Sequence, residues 1–305
     1  MKPKQWQVSI ILTIGVLAIA STAIFIRLSI EATGVRGVGF SLFIAATRLT
    51  IAALLLGIGR LFSHSRLSFQ NVSPSAYYYA IGAGVSLALH FAFWITSLSF
   101  TSIAASTTLV TTNPIWITLF SWLWFKEKPT KMTVAGIAVA LSGGILIAFA
   151  DKGSDGGYSN PLLGDMLALL GSVIVSLYFL FGREAQRRGL SIGNYIFIIY
   201  PTAALLLLPL PPLFGTSYFG YPQVVYLYIF LMAVFSQLIG HTSFNWAVRW
   251  LSPTVVTLAI LFEPVGASFL GWLIFGEVPS SLVFLGGLVL LLGVATAIIG
   301  TRNVQ

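Results

Sequence analysis

The sequence predicts an all-α polytopic membrane protein, with ten transmembrane helices arranged as two inverted-topology five-helix repeats. Three observations lead there. Of the 305 residues, 57% are hydrophobic and only 8% charged, against about 25% charged in an ordinary soluble domain, so a water-facing surface cannot be assembled. Apolar runs of the roughly 20 residues needed to cross a bilayer as a helix recur along the chain. The second half of the sequence also matches the first at a constant offset of 150 residues. A β-barrel is excluded, because stretches such as Leu205 to Leu208 and Gly287 to Gly293 do not alternate apolar with polar positions.

Divided at glycine, proline and charge clusters, the apolar runs fall near 8–30, 38–60, 75–98, 102–124, 130–150, 163–183, 192–213, 223–247, 253–275 and 280–300. Short connections leave no room for a soluble domain. Pro74, Pro129, Pro161, Pro222, Pro253 and Pro279 stand at or just before predicted starts, where the missing N–H costs nothing. Ser73 and Ser252 read as N-caps. Ala18-Ile19-Ala20 after Lys2 and Lys4 resembles a signal-peptide cleavage site, yet the apolar run continues to Ile30, past the about 7–15 residues of such a segment. It is read as the first membrane helix.

With the N-terminus in the cytoplasm, the inner segments hold Lys2, Lys4, Arg60, Arg66, Lys126, Lys128, Lys131, Arg183, Arg187, Arg188, Arg249 and Arg302. The outer segments hold only Arg36 and Lys152, while Arg27 and Arg48 lie within helices. The positive-inside rule therefore puts both termini in the cytoplasm, for a multi-pass protein of the cell membrane, inner or plasma. Glu31, Asp151, Asp155, Asp165 and Glu277 lean to the outer face. Orientation accounts for the net charge of +8 better than nucleic acid does, since no dense Lys/Arg run with interleaved aromatics is present.

Shifting the chain by 150 residues superposes Pro114 on Pro264, Trp122 on Trp272, Phe125 on Phe275, Glu127 on Glu277, Pro129 on Pro279, Gly136 on Gly286, Leu141 on Leu291 and Gly143 on Gly293, without a gap. Ordered identities that include Trp, Glu, Pro and Gly signal a duplication. The expected units are 1–150 and 151–305. Five helices per unit is an odd number, so the second unit enters the membrane with the opposite sense, as in many secondary transporters. Gly136 with Gly143, and Gly286 with Gly293, recur at seven residues and suit close helix packing, or alternatively a dimer seam.

The stretch Pro114 to Gly144, with Phe125-Lys126-Glu127-Lys128-Pro129 and its glycines, resembles the EamA signature of the drug/metabolite transporter superfamily. Glu263-Pro264 through Glu277 to Gly286 is similar to a second copy, and Arg48 matches an arginine of the first repeat. The resemblance covers nearly the whole chain. It implies a ten-helix carrier, often an exporter, with the third, fourth, eighth and ninth helices around a central cavity.

At 1.5 Å per residue, Arg48, Asn113 and Glu263 each lie about 15 Å into their helices, near the middle of a core about 30 Å thick. Asn113-Pro114 and Glu263-Pro264 are repeat equivalents. Ionisable residues at such depth are costly and face a cavity or a partner. Glu263 is the leading site residue, for amine recognition or as a protonatable switch; a fixed ion pair with Arg48 is the structural alternative. His90 and His241 are candidates to relay protons, or else packing residues. Gln237 and Asn245 add polar groups, and Phe93, Trp94, Trp116 and Trp246 could line the cavity, although packing accounts for most such aromatics. Trp122, Trp124 and Trp272 read as interfacial belt residues.

The expected function is a secondary transporter of small organic metabolites by alternating access, with amino acids or related amine-bearing compounds favoured as exported substrates. Phosphorylated sugars would want converging basic residues. A passive channel is the alternative; an intramembrane lipid-processing enzyme is less favoured, for want of paired acids, a cysteine or a histidine pair. No cofactor is expected, and no metal, because there is no cysteine and the histidines at 64, 90 and 241 form no cluster in the sequence. The expected partners are the substrate, the bilayer and protons as a candidate coupling ion. Monomer and homodimer both stay open.

Overall fold

The computed structural model describes residues 3–62, 72–101, 103–150, 160–275 and 281–302, and these are helical throughout, with no strand among them. In chain order the helices are α1 Gln5–Thr33, α2 Val38–Leu61, α3 Pro74–Ser97, α4 Ile103–Val110, α5 Asn113–Phe125, α6 Lys131–Ala150, α7 Pro161–Arg187, α8 Ile192–Leu207, α9 Leu210–Leu213 and α10 Gln223–Leu231. A π-helical stretch Met232–His241 follows, then α11 Thr242–Ala247, α12 Pro253–Ile260, α13 Glu263–Phe275 and α14 Ser281–Arg302. Lys2, His64, Arg66, Asp151, Lys152, Asp155, Glu277 and Pro279 lie outside the described residues.

Seven of these helical stretches are long and apolar enough to cross a membrane: Gln5–Thr33, Val38–Leu61, Pro74–Ser97, Pro161–Arg187, Ile192–Leu213, Gln223–Ala247 and Pro253–Ile274. Ten were expected. The run at 102–124, split into α4 of 8 residues and α5 of 13, is not among the seven, although the run of α12 and α13, split into the same lengths, is. In α6 and α14 the apolar stretches that qualify are shorter, Lys131–Leu146 and Phe284–Ala297. Pro209, Pro211 and Pro212 divide the run at 192–213 into α8 and α9.

Sequence chemistry sets the helix ends. Pro74, Pro161 and Pro253 open α3, α7 and α12. Ser252 caps α12 by accepting from the Val255 N–H at 3.3 Å. Ser73 stands at the expected position, but its hydroxyl pairs with Ser75 at 2.9 Å rather than capping the helix. Asn160 and Ser191 supply side-chain caps to α7 and α8.

The packing is that of a bundle solvated by lipid. Leu17, Leu54, Leu205, Phe284 and Leu292 point outward and are more than half exposed, an apolar exterior that water would not tolerate. The interior carries both the apolar core, from Phe43 and Leu87 to Tyr200 and Phe244, and most of the polar groups discussed below. α3 packs on α7 and α8, α2 on α8, and α1 on the π-helical stretch and α13. α6 and α14 pack along each other over a small core of Ile137, Ala140, Leu290, Val294 and Ala297, joined by Leu258 of α12 and Leu261 just beyond it. Glycines let these two backbones touch: a Cβ at Gly136 would strike the Ala297 backbone, one at Gly143 the Leu290 backbone, and one at Gly293 the Ala140 backbone. Close helix packing is thus the use of these glycines within the chain.

Candidate functional site

Two breaks in helical structure build the site. A proline has no N–H to give and its ring crowds the carbonyl four residues back. Ahead of Pro114, α4 ends at Val110 and α5 begins at Asn113; ahead of Pro264, α12 ends at Ile260 and α13 begins at Glu263. At each break the chain tightens in the same way, with Thr112 N–H bonding Leu109 O at 3.2 Å and Phe262 N–H bonding Ala259 O at 3.1 Å. The Thr111 and Thr112 hydroxyls donate to the Thr107 and Leu109 carbonyls, at 2.8 and 2.7 Å. The Asn113 carbonyl accepts from Ser176 on α7 at 3.3 Å.

Both breaks open on one cavity of about 40 Å³. Its wall takes Ile19 and Thr22 from α1, His90 and Trp94 from α3, Val110 from α4, Thr111 from the break after it, Asn113 from α5, Val175 and Phe179 from α7, His241 from the π-helical stretch, Phe244 from α11, Ile260 from α12 and Glu263 from α13. That volume holds roughly three waters and falls well short of the about 300 Å³ at which ligand pockets begin. Glu263 stands in the first turn of α13, where the positive end of the helix dipole favours its carboxylate. Among the described residues, three buried polar atoms on the wall have no hydrogen-bond partner: Asn113 Oδ1, Trp94 Nε1 and His241 Nδ1.

Arg48 lies behind this wall rather than in it. It is fully buried on α2, donates from Nη2 to Gln237 Oε1 at 2.9 Å, and stacks over Phe91 with its guanidinium carbon 4.1 Å from the ring centroid. Phe91 in turn meets His241 edge-on at 5.2 Å. Arg48 bonds Gln237, and no ion pair between Arg48 and Glu263 is found among the described residues. The guanidinium stands one aromatic layer from the cavity, with Nε and Nη1 lacking a hydrogen-bond partner among the described residues.

Of the residues expected at the site, Glu263, Asn113, His90, Trp94 and His241 do line one cavity. Gln237, in the π-helical stretch, lies behind it as the Arg48 acceptor. His90 is held by the Gly171 carbonyl at Nδ1, 3.0 Å away, and stacks on Trp94, so its role includes packing. Trp116 is not on the wall; its Nε1 donates to Thr112 Oγ1 at 3.4 Å. Phe93 and Trp246 are half-buried elsewhere, and Trp122, Trp124 and Trp272 face outward. Sequence reasoning missed Phe179, Phe244 and Thr22. It also missed a buried polar network in which Tyr200 donates to Gln237 O at 3.1 Å, Asn245 donates to the Tyr178 hydroxyl at 2.5 Å and Gln186 donates to Asn245 O at 2.8 Å. The tyrosines followed the pattern of apolar helix residues and gave no separate signal. Among the described residues no group of three or more His, Cys, Asp or Glu comes together as a metal site.

The EamA-like transporter family matches this chain twice, over residues 6–149 and 162–299. The chain belongs to that family. It is accordingly a membrane transporter with several spanning helices, and its family chemistry is movement rather than catalysis. A Bacillus subtilis (strain 168) protein named "Uncharacterized transporter YdfC" is 28% identical over 63% of this chain, a match that spans 61% of that relative's own length. A Streptantibioticus cattleyicolor protein named "Probable terminal-alkyne amino-acid exporter" is 26% identical over 93% of this chain and 90% of its own. A crystal structure that is 18% identical superposes with a TM-score of 0.74 over 99% of this chain and all of the other, a likeness of fold alone.

Proposed function

We propose that this EamA-family member is a secondary transporter that exports amino acids or related amine-bearing metabolites by alternating access. Its site is the cavity between the two broken helices. The observation that carries this reading is the repetition of the break: α4 and α12, and α5 and α13, begin and end at positions 150 residues apart, and each pair presents a polar residue followed by proline to the same small space. Broken helices whose ends converge near the bilayer centre are how many carriers bind substrate.

The same offset supports ten spans in two inverted units, residues 1–150 and 151–305. In the α6–α14 seam, Gly143 faces Leu290 and Gly293 faces Ala140, two contacts that exchange under the 150-residue shift. Alternating access by rocking the units fits a contracted cavity that has to widen for its ligand. The wall chemistry favours an amine: Glu263 and Asn113 Oδ1 are acceptors for an ammonium group, Trp94 Nε1 is a donor, and Phe179, Phe244 and Val175 accommodate an apolar part. The amino-acid exporter named among the relatives agrees with this substrate class and with the outward direction. A channel would need a filter or a ring of like charges, and the wall offers one acid. Catalysis would need a second acid or a nucleophile beside Glu263.

In proteoliposomes, competition among amino acids, nucleosides and sugar phosphates tests the reading. Amino acids should compete best, and preferential transport of phosphates would overturn it. Orientation has its own check, made clean by the absence of native cysteine. Phe219, between α9 and α10, and Lys128, between α5 and α6, are both exposed. In intact cells Phe219→Cys should react with an impermeant thiol reagent and Lys128→Cys should not; the reverse pattern would invert the topology.

A further inference from the structure

A second and much larger cavity, about 390 Å³, opens at the end of the bundle that carries the basic connections. It lies between Thr118 and Ser121 of α5, the Glu127–Thr130 connection, Arg183 and Arg187 of α7, and the Val248–Ser252 connection. Its depth along α5 places it on the way to the central site: Thr118 is five residues, about 7.5 Å, beyond Asn113. Its volume is that of a small-molecule pocket, whereas the central cavity is a tenth as large.

Two independent features give this vestibule a chemistry. Its charges are unbalanced. Arg183 grips both carboxylate oxygens of Glu127, with Nη1 to Oε2 at 3.0 Å and Nη2 to Oε1. That pair neutralises itself, leaving Lys128, Arg187 and Arg249 as the other charges on the lining. Arg187 reaches only to Glu184, behind the wall, at 3.6 Å, and Arg249 lies over the Trp250 ring with no carboxylate partner among the described residues. The lining also holds three buried polar atoms that have no hydrogen-bond partner among the described residues, Thr118 Oγ1, Ser121 Oγ and Trp250 Nε1. All three carry a proton to donate, as do the cations on the lining. Donors without acceptors around a space of this size are complementary to an anionic group.

We infer that this vestibule is a second substrate station, which captures the carboxylate of an amino-acid-like molecule through Arg249, Ser121, Thr118 and Trp250. This inference rests on the transport reading and deepens it: the vestibule reads the acid end of the molecule, and the Glu263 cavity the amine end. One substrate thus meets complementary charge at two depths, and a cation without a carboxylate is disfavoured at the mouth.

Ser121→Cys, a nearly isosteric change in a chain without cysteine, tests this in purified protein, with Thr118→Cys as the second reporter. A negatively charged methanethiosulfonate should modify either cysteine about tenfold faster than a positively charged one, and Arg249→Gln should bring the ratio toward one. A mixture of alanine, serine, leucine and phenylalanine should slow the modification, while the matching amides should not. Equal rates for the two reagents, protection by amides as good as by acids, stronger protection by inorganic phosphate, or no reaction at either position would overturn the station. The measurement needs no flux, so it separates the two claims. Protection without transport would leave the station and sink the transport reading, and transport without protection would do the opposite.

Discussion

Glu263→Gln is expected to fold and insert as the parent protein does, yet to lose transport by about 10- to 100-fold. The estimate follows from the about 1.5–3 kcal/mol contributed by a hydrogen bond to a charged group and from tenfold in rate or affinity per about 1.4 kcal/mol. The substitution keeps the shape of the side chain in the first turn of α13. It removes the one carboxylate among the described residues that line the cavity, leaving the unpartnered Asn113 Oδ1 as an acceptor to hold an ammonium group. Stability should not fall, because the change takes a charge out of the bundle interior and Glu263 has no ion-pair partner among the described residues. Any pH dependence of flux that arises from this carboxylate should vanish in the variant. Initial rates in proteoliposomes, set against the melting temperature of the same preparation, check both halves of the expectation. Parental flux would return Glu263 to a structural role.

Gly143→Ala should destabilise the protein by about 1–3 kcal/mol, although alanine is the better helix former. A Cβ there would come within 2.6 Å of the Gly286 carbonyl oxygen and 2.8 Å of Leu290 Cα. These are backbone atoms, which cannot swing aside as a side chain would, so α6 and α14 must separate. The control is Gly57→Ala on α2, where nothing lies within 4 Å of the added carbon and the gain in helix propensity, about 0.5–1 kcal/mol, should appear unopposed. Opposite shifts in the unfolding temperature of the two variants are the predicted pattern. A shift of the same sign in both would show that the α6–α14 seam is looser than its geometry indicates.

What the sequence made legible was local chemistry repeated. Asn113-Pro114 and Glu263-Pro264 marked equivalent positions at one depth, although 102–124 and 253–275 were each expected as a single span and the breaks ahead of the prolines were not. The glycine pairs seven residues apart likewise told of close backbone approach. The partners of Arg48 and Arg183 were not legible. Arg48 finds Gln237 at 189 positions' distance and Arg183 finds Glu127 at 56, choices made by tertiary packing. Which aromatics face the cavity was also hidden, since helices that are apolar all round carry no stripe to mark an inner face. Trp94 and Trp116 look alike in sequence, yet only Trp94 reaches the wall. The vestibule depended on three connections meeting, and no single segment encoded it.

We propose a carrier whose two halves alternate around Glu263. Counterflow in proteoliposomes tests it most directly: vesicles loaded with unlabelled amino acids and diluted into trace labelled amino acid. A carrier with one alternating site predicts a transient accumulation of label above its equilibrium level, saturable in substrate and abolished in Glu263→Gln. Label that merely equilibrates, in proportion to concentration and unchanged in the variant, would contradict it.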